Sequence, residues 1–314
     1  MKENPLSVCG QKLLQVLLNL MPTNYQKDNL KALLFLFLQA RGTPLPCHSQ
    51  TKSPSALSRF LNRNEWSERS LIRAHRQTIL NQLTQLSTGK RKQLQVVIDL
   101  SPLEKRGAFK GYKHLIHTLN RKRGIQWVVL YLVVGLWRVP WSFRIWRGRG
   151  RASPAKLAAK LLRTLPAPLK RRYKIRILFD AGITSKWLLR EIHRLGFEAI
   201  VGIQGTRRLK DGRLLKEVKR RGERVFLTGM DRPVFVSWIL RRYKGKLKRF
   251  FVISTVAQSG KHIVRWGKRR WQIEGFFKTV KHRFGIHRFG VGTLRGLYRW
   301  FLLSLTAYLL AYWS

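Results

Sequence analysis

The chain has 314 residues, 44% of them apolar, with 64 Lys and Arg against 14 Asp and Glu, a formal charge of +50. The apolar share excludes a disordered polymer and suffices for one large core plus an accessory domain. Compact burial under such self-repulsion points to a polyanionic partner, nucleic acid first, although charge alone fits an inert ribosomal or architectural protein equally well. Two cysteines, Cys9 and Cys47, exclude a disulfide framework and make no zinc site with His48. Met1-Lys2-Glu3-Asn4-Pro5 lacks a basic stretch leading into an apolar one, so no signal peptide is expected and the chain reads as cytoplasmic.

From Gln11 to about Leu86 the apolar residues recur at helical spacing, as in Leu13, Leu14, Leu17, Leu18 and then Leu30, Leu33, Leu34, Phe37. Ser53-Pro54 opens a short helix through Leu57, Phe60 and Leu61, and an Asn62-Arg63-Asn64 turn leads to a second helix entered near Ser67. This pair resembles a helix-turn-helix, and it equally fits a small bundle that only packs. At Leu94 the pattern changes to β-branched and aromatic runs, 94–100, 125–136 and 139–146, the last two predicting a hairpin that turns near Arg138. A helix is predicted over 154–165, a strand over 175–179, a helix over 186–195 ending at Gly196, and a strand over 199–203. Three more strands, 225–227, 234–239 and 249–255, fall in a basic segment that looks inserted, and helices return near Lys268, over 273–284 and 294–312. The apolar tail after Leu297 is short for a membrane span and is interrupted by Arg299, Ser304 and Thr306, so a buried last helix is expected and no membrane.

Because acids are scarce, each can be tried in turn as a metal ligand. Asp99 ends the run Val96-Val97-Ile98, and Asp180 ends Ile175 to Phe179, so both are expected where an apolar strand leaves the core, on one sheet edge. Two carboxylates placed so repel one another unless a divalent cation neutralises them, whereas a single such Asp is more often a loop or helix cap. Glu274 lies in a helix that presents Arg270, Glu274, Lys278 and Lys281 on one face beside Ile273, Phe277, Val280 and Phe284 on the next. An exposed helix with a Glu-Lys pair at i,i+4 accounts for Glu274 and Lys278 as well.

Strand order, an Asp on the first strand, an Asp on the fourth and a Glu on a later helix together resemble the RNase H-like core of DDE transposases. Arg270-x3-Glu274-x6-Lys281 is similar to the last three members of the Tyr-x2-Arg-x3-Glu-x6-Lys motif of one group of bacterial insertion-sequence transposases. Gly267 stands where that motif has Tyr, with Trp266 adjacent, which touches a DNA-end contact rather than the metal site. The resemblance covers Leu94 to about Phe289.

The fold so implied is α/β: an RNase H-like mixed sheet flanked by helices, with a helical N-terminal domain and a small β-rich insertion. The expected boundaries are 1–90 for the DNA-binding helices, 91–204 for the first part of the core, 205–267 for the insertion and 268–314 for the helices that complete the core. The activity implied is metal-dependent cleavage at the ends of an insertion sequence, then strand transfer into target DNA, with Asp99, Asp180 and Glu274 holding two Mg²⁺ or Mn²⁺ ions about 4 Å apart. Arg270, Lys278 and Lys281 are the expected phosphate contacts near the metals, and Trp238 and Tyr243 the aromatic platforms of the insertion. The resemblance also implies a homodimer in the DNA complex, for which the chain shows no heptad seam, and a place at the bacterial nucleoid. A nuclease that cuts without joining and a basic nucleic-acid binder without catalysis stay open as alternatives.

Overall fold

A computed structural model describes residues 5–39, 42–86, 92–105, 110–119, 121–243 and 245–313. The chain divides into two compact units, one made of 1–86, 101–127 and 274–314, the other of 87–100 and 128–273.

The first unit begins with four helices, α1 (Pro5–Asn19), α2 (Asn24–Gln39), α3 (Pro54–Asn62) and α4 (Glu68–Leu86). Ser53 caps α3 by accepting from Ala56 N at 3.3 Å, and Pro54 takes the first helical position, where a missing N–H costs nothing. The expected helix pair is therefore present, with α4 starting one residue after Ser67. Strand β1 (Gln93–Glu104) and strand β3 (Lys122–Val134) each contribute residues to both units. A four-residue strand, β2 (Ile116–Leu119), pairs antiparallel with the start of β3, and sequence periodicity did not predict it because four residues give too few alternations to register.

In the second unit β3 turns into β4 (Trp137–Trp146) at Gly135 and Leu136, earlier than the turn expected near Arg138. Gly135 has φ +58°, a left-handed turn position, and Leu136 is 89% exposed. Then follow α5 (Pro154–Leu162), α6 (Ala167–Arg172), β5 (Lys174–Phe179), α7 (Lys186–Arg194), β6 (Glu198–Ile203), β7 (Glu223–Val225), β8 (Val234–Tyr243), β9 (Lys246–Ser254) and α8 (Gly260–Arg269). The sheet runs β4, β3, β1, β5, β6, β9, β8, β7, with β1, β5 and β6 parallel and β9, β8 and β7 antiparallel. It is a mixed sheet with helices packed on it, α8 on β6, β8 and β9, and α7 on β6. Leu94, Val96, Val97 and Ile98 are fully buried, as a strand covered on both faces requires. The basic segment after β6 does not make a sheet of its own: β9 pairs directly with β6, Ile200 to Ser254 and Ile203 to Phe251, and so extends the central sheet.

The chain closes with α9 (Gln272–His282), which passes from the second unit to the first at Glu274, and α10 (Leu294–Tyr312). Residues 299–310 of α10 are buried throughout, and two of its hydroxyls are satisfied: Thr306 Oγ1 meets His75 Nε2 at 2.8 Å and Ser304 Oγ donates to Phe284 O at 3.3 Å. Among the described residues, no helix is long and apolar enough to cross a membrane.

Candidate active site

Parallel pairing of β1 with β5 sets Val96 opposite Ile177 and Val97 opposite Leu178. The pairing ends there; Asp99 lies two residues further along β1, and Asp180 two residues beyond Leu178, just past the end of β5. Asp99 lies within β1, while Asp180 directly follows β5 and opens a turn.

That turn is tightly built. Asp180 Oδ1 accepts from Gly182 N at 3.0 Å and Ile183 N at 3.3 Å, and the single Thr184 hydroxyl hydrogen is shared between Gly202 O on β6, the nearer acceptor, and Asp180 O. A Cβ at Gly202 would come within 2.8 Å of Ala181 N, so only glycine lets β6 approach the Asp180 turn this closely. Among the described residues no hydrogen bond reaches Asp180 Oδ2, and Asp180 lines a cavity of about 840 Å³.

Asp99 is held differently. Its Oδ1 accepts from Leu100 N at 2.9 Å, and its Oδ2 accepts from Arg270 Nη1 at 2.7 Å, an ion pair across 171 residues of chain. Gln272 Nε2 donates to Gln95 Oε1 at 3.1 Å on the same strand, a second tie between β1 and the segment after α8.

The cavity beside Asp180 is rimmed by cations, Lys216, Arg241, Lys248, Arg249 and Arg270, with Trp271 and Phe250 among them. The Arg241 guanidinium lies 3.8 Å from the centre of the Trp271 ring, and Phe250 is 39% exposed. Hairpin register pairs Ile239 with Phe250 and Arg241 with Lys248, so these four share one face while Trp238, paired with Phe251, is on the other.

The remaining residues singled out from sequence are distributed as follows. Trp238 is 7% exposed, its ring approached by Arg221 at 5.2 Å and Arg249 at 4.9 Å, so its faces are covered rather than open to a base. Tyr243 ends β8 and its side chain lies outside the described residues. Glu274 is exposed in the first turn of α9, and Lys278 is exposed one turn on. Lys281 is partly buried and donates to Ser101 Oγ at 2.8 Å, and burial lowers its pKa first, with Lys122 adding to the effect. The structure thus brings Asp99 to Arg270 and puts Asp180 just past the strand that pairs with β1, while Glu274 belongs to the other compact unit. Trp271, Phe250, Arg241 and Lys248 were not found from sequence, although strict alternation along β8 and β9 places the last three on the face of Ile239.

Gly267 has a packing reason. A Cβ there would meet both methyls of Val252 at 3.1 Å, so glycine lets α8 lie close on β9, and any side chain at this position would press on Val252. Trp266 does not substitute for that Tyr, because its ring is flanked by Arg176 at 4.1 Å and Arg269 at 4.2 Å, and Arg176 is itself paired with Glu198 at 2.7 Å.

Carboxylate oxygens are hard donors that suit Mg²⁺ or Mn²⁺, and Asp99 and Asp180 fit such an ion in kind. Asp99 already has a cation, Arg270, in place. Among the described residues, no three His, Cys, Asp or Glu side chains are grouped so as to hold a metal ion.

A family profile described as "Transposase DDE domain" matches residues 90–310. Among solved structures the chain is similar to one titled "Cryo-EM structure of piggyBac transposase synaptic complex with hairpin DNA", with 12% identity and a TM-score of 0.46, over 97% of this chain and 64% of that one. The chain therefore spans less than two thirds of that protein's length. No curated protein matches it.

Proposed function

Because the chain belongs to the Transposase DDE domain family, we propose that it is the transposase of a bacterial insertion sequence, of the group with the Tyr-x2-Arg-x3-Glu-x6-Lys motif and with an RNase H-like core. It nicks DNA at the element's ends and joins the freed 3′-hydroxyl to target DNA, as a homodimer on DNA at the nucleoid. The observation that supports the catalytic part is that Asp99 lies on β1 and Asp180 directly follows β5, its parallel neighbour, with a cation already on Asp99.

Asp99, Asp180 and Glu274 would hold two Mg²⁺ or Mn²⁺ ions, which when bound supply an activated oxygen nucleophile and neutralise charge on the leaving oxygen. The chain's own residues have the complementary tasks. The hydrogen bonds from Gly182 N and Ile183 N fix the Asp180 carboxylate, and the turn they close is clipped to β6 by Thr184. Lys216, Arg241 and Lys248 take backbone phosphates along the cavity, Trp271 and Phe250 supply stacking surface, and Lys278 and Lys281 hold phosphates along α9. In this reading the aromatic contact moves from Trp238 to Trp271 and Phe250, and α3 and α4 belong to the DNA-binding helices of residues 1–90.

The test is a supercoiled plasmid carrying the element's ends, incubated with the protein and Mg²⁺. Nicks at the ends together with strand-transfer products are expected, and Asp99→Asn, Asp180→Asn and Glu274→Gln should each lower nicking by at least about a hundredfold, as loss of a catalytic group does. End binding in a gel shift should persist in all three, since phosphate contacts position and do not react. Nicks without joined products would make the chain a nuclease, and binding without nicks a non-catalytic nucleic-acid binder.

A further inference from the structure

The Asp99–Arg270 ion pair puts a cation where a metal ligand is needed. Arg270 Nη1 is 2.7 Å from Asp99 Oδ2, and the two side chains are only 18% and 13% exposed. The other carboxylate oxygen already accepts from Leu100 N. A guanidinium and a divalent ion compete for the same carboxylate oxygen, because the two cations repel each other and each weakens the other's hold on it. Arg270 also belongs to the rim of the cavity that Asp180 lines, with four further cations around it. It therefore stands between two kinds of oxyanion, the carboxylate on β1 and any phosphate entering that cavity, and a guanidinium fork recognises both. Without a metal, Arg270 supplies the opposite charge that the largely buried Asp99 carboxylate needs.

Resting on the reading that Asp99 and Asp180 are metal ligands, we propose that Arg270 is a positioning residue that keeps Asp99 closed to metal until a phosphate backbone enters the cavity and draws the guanidinium away. The exchange breaks no covalent bond: Asp99 trades one cation for another, and Arg270 trades a carboxylate for a phosphate. Metal loading and DNA binding then favour each other by the same factor, as linkage requires. A free chain is held from metal-dependent cleavage until its substrate strand is in place.

The experiment is a Mn²⁺ titration of the full chain followed by the electron paramagnetic resonance signal of free Mn²⁺, with and without a short blunt DNA duplex. Asp99→Asn with the same duplex gives the background of ions held by the DNA itself. The duplex should tighten Mn²⁺ binding by the unsubstituted chain roughly tenfold, within the range of coupled sites. Arg270→Gln should bind Mn²⁺ without DNA about as tightly as the unsubstituted chain does with it, a gain that a merely structural arginine would not produce. Equal affinity of the unsubstituted chain with and without duplex overturns the proposal, and that comparison stands even if Arg270→Gln fails to fold. The metal-site reading fails separately: if Asp99→Asn and Asp180→Asn bind Mn²⁺ as the unsubstituted chain does, those carboxylates are not ligands. If both lose Mn²⁺ while duplex and Arg270→Gln change nothing, the exchange alone is wrong.

Discussion

Glu191 on α7 takes two guanidinium groups at once, Arg163 Nε at 2.8 Å and Arg194 Nη2 at 2.8 Å, and its own residue is 7% exposed. Hydrogen bonds from Arg194, then from Arg163, hold its carboxyl down at about 2, against 4.5 for a free Glu. A folded value below the unfolded one means that the pairing contributes fully above pH ~4.5 and is lost as pH falls toward ~2. Thermal unfolding should therefore separate the unsubstituted chain from Glu191→Gln by several degrees at pH 6, with the gap closing by pH 2; a gap that does not change with pH would contradict the assignment. Such pairings belong to a level the sequence could not reach. Asp180 does directly follow β5, as its apolar run predicted, whereas Asp99 lies inside β1, which continues with buried residues to Leu103 and ends at Glu104 instead of leaving the core at the Asp. That Arg270 meets Asp99 was not legible, since the two are 171 residues apart and no local pattern links them. Gly267 was visible as a departure from a motif, but its cause, the Val252 methyls of β9, needed the packing of α8.

Elements of the N-terminal helices are joined by one side chain of α10. Arg299 is 1% exposed and donates through Nη1 to Phe60 O, Leu61 O and Asn64 O, through Nη2 to Trp66 O, and through Nε to Glu68 Oε1 at 2.7 Å, with its guanidinium 4.0 Å from the Trp66 ring centre. It fixes the turn between α3 and α4, while Asn62 Oδ1 accepts from Thr293 Oγ1 at 2.7 Å and adds a second tie. Arg299→Met should cost about 3–5 kcal/mol in urea unfolding, because a partly buried carboxylate and four carbonyls lose their donor. Arg299→Lys should recover only part of this, since one ammonium cannot reach five acceptors; a loss under about 1 kcal/mol for Arg299→Met would remove this role. Sequence periodicity found α10 and its three polar interruptions but not what satisfies them. It likewise found the strands after β6 but not their partner, because alternation fixes which face a residue takes and leaves the neighbouring strand open. The missing α6 is six residues long, too short for helical spacing to register.

At the scale of the whole molecule, a charge of +50 is matched by a cavity lined by one aspartate, five cationic residues and four aromatic ones. A surface of that kind favours phosphate and stacked bases, and strong salt dependence of DNA binding follows from it. Composition alone could name the ligand class and no more, because cations at that density serve binding and catalysis alike; the carboxylates are what separate the two. The central claim is that Asp99, Asp180 and Glu274 share divalent ions. Its most direct test is anomalous scattering from Mn²⁺ in crystals of the chain bound to element-end DNA. The account predicts anomalous density bridging the Asp99 and Asp180 carboxylates, with a Glu274 oxygen roughly 2.1 Å from an ion, as for hard divalent cations. Mn²⁺ found elsewhere, or found on the two aspartates with Glu274 outside coordination distance, would contradict it.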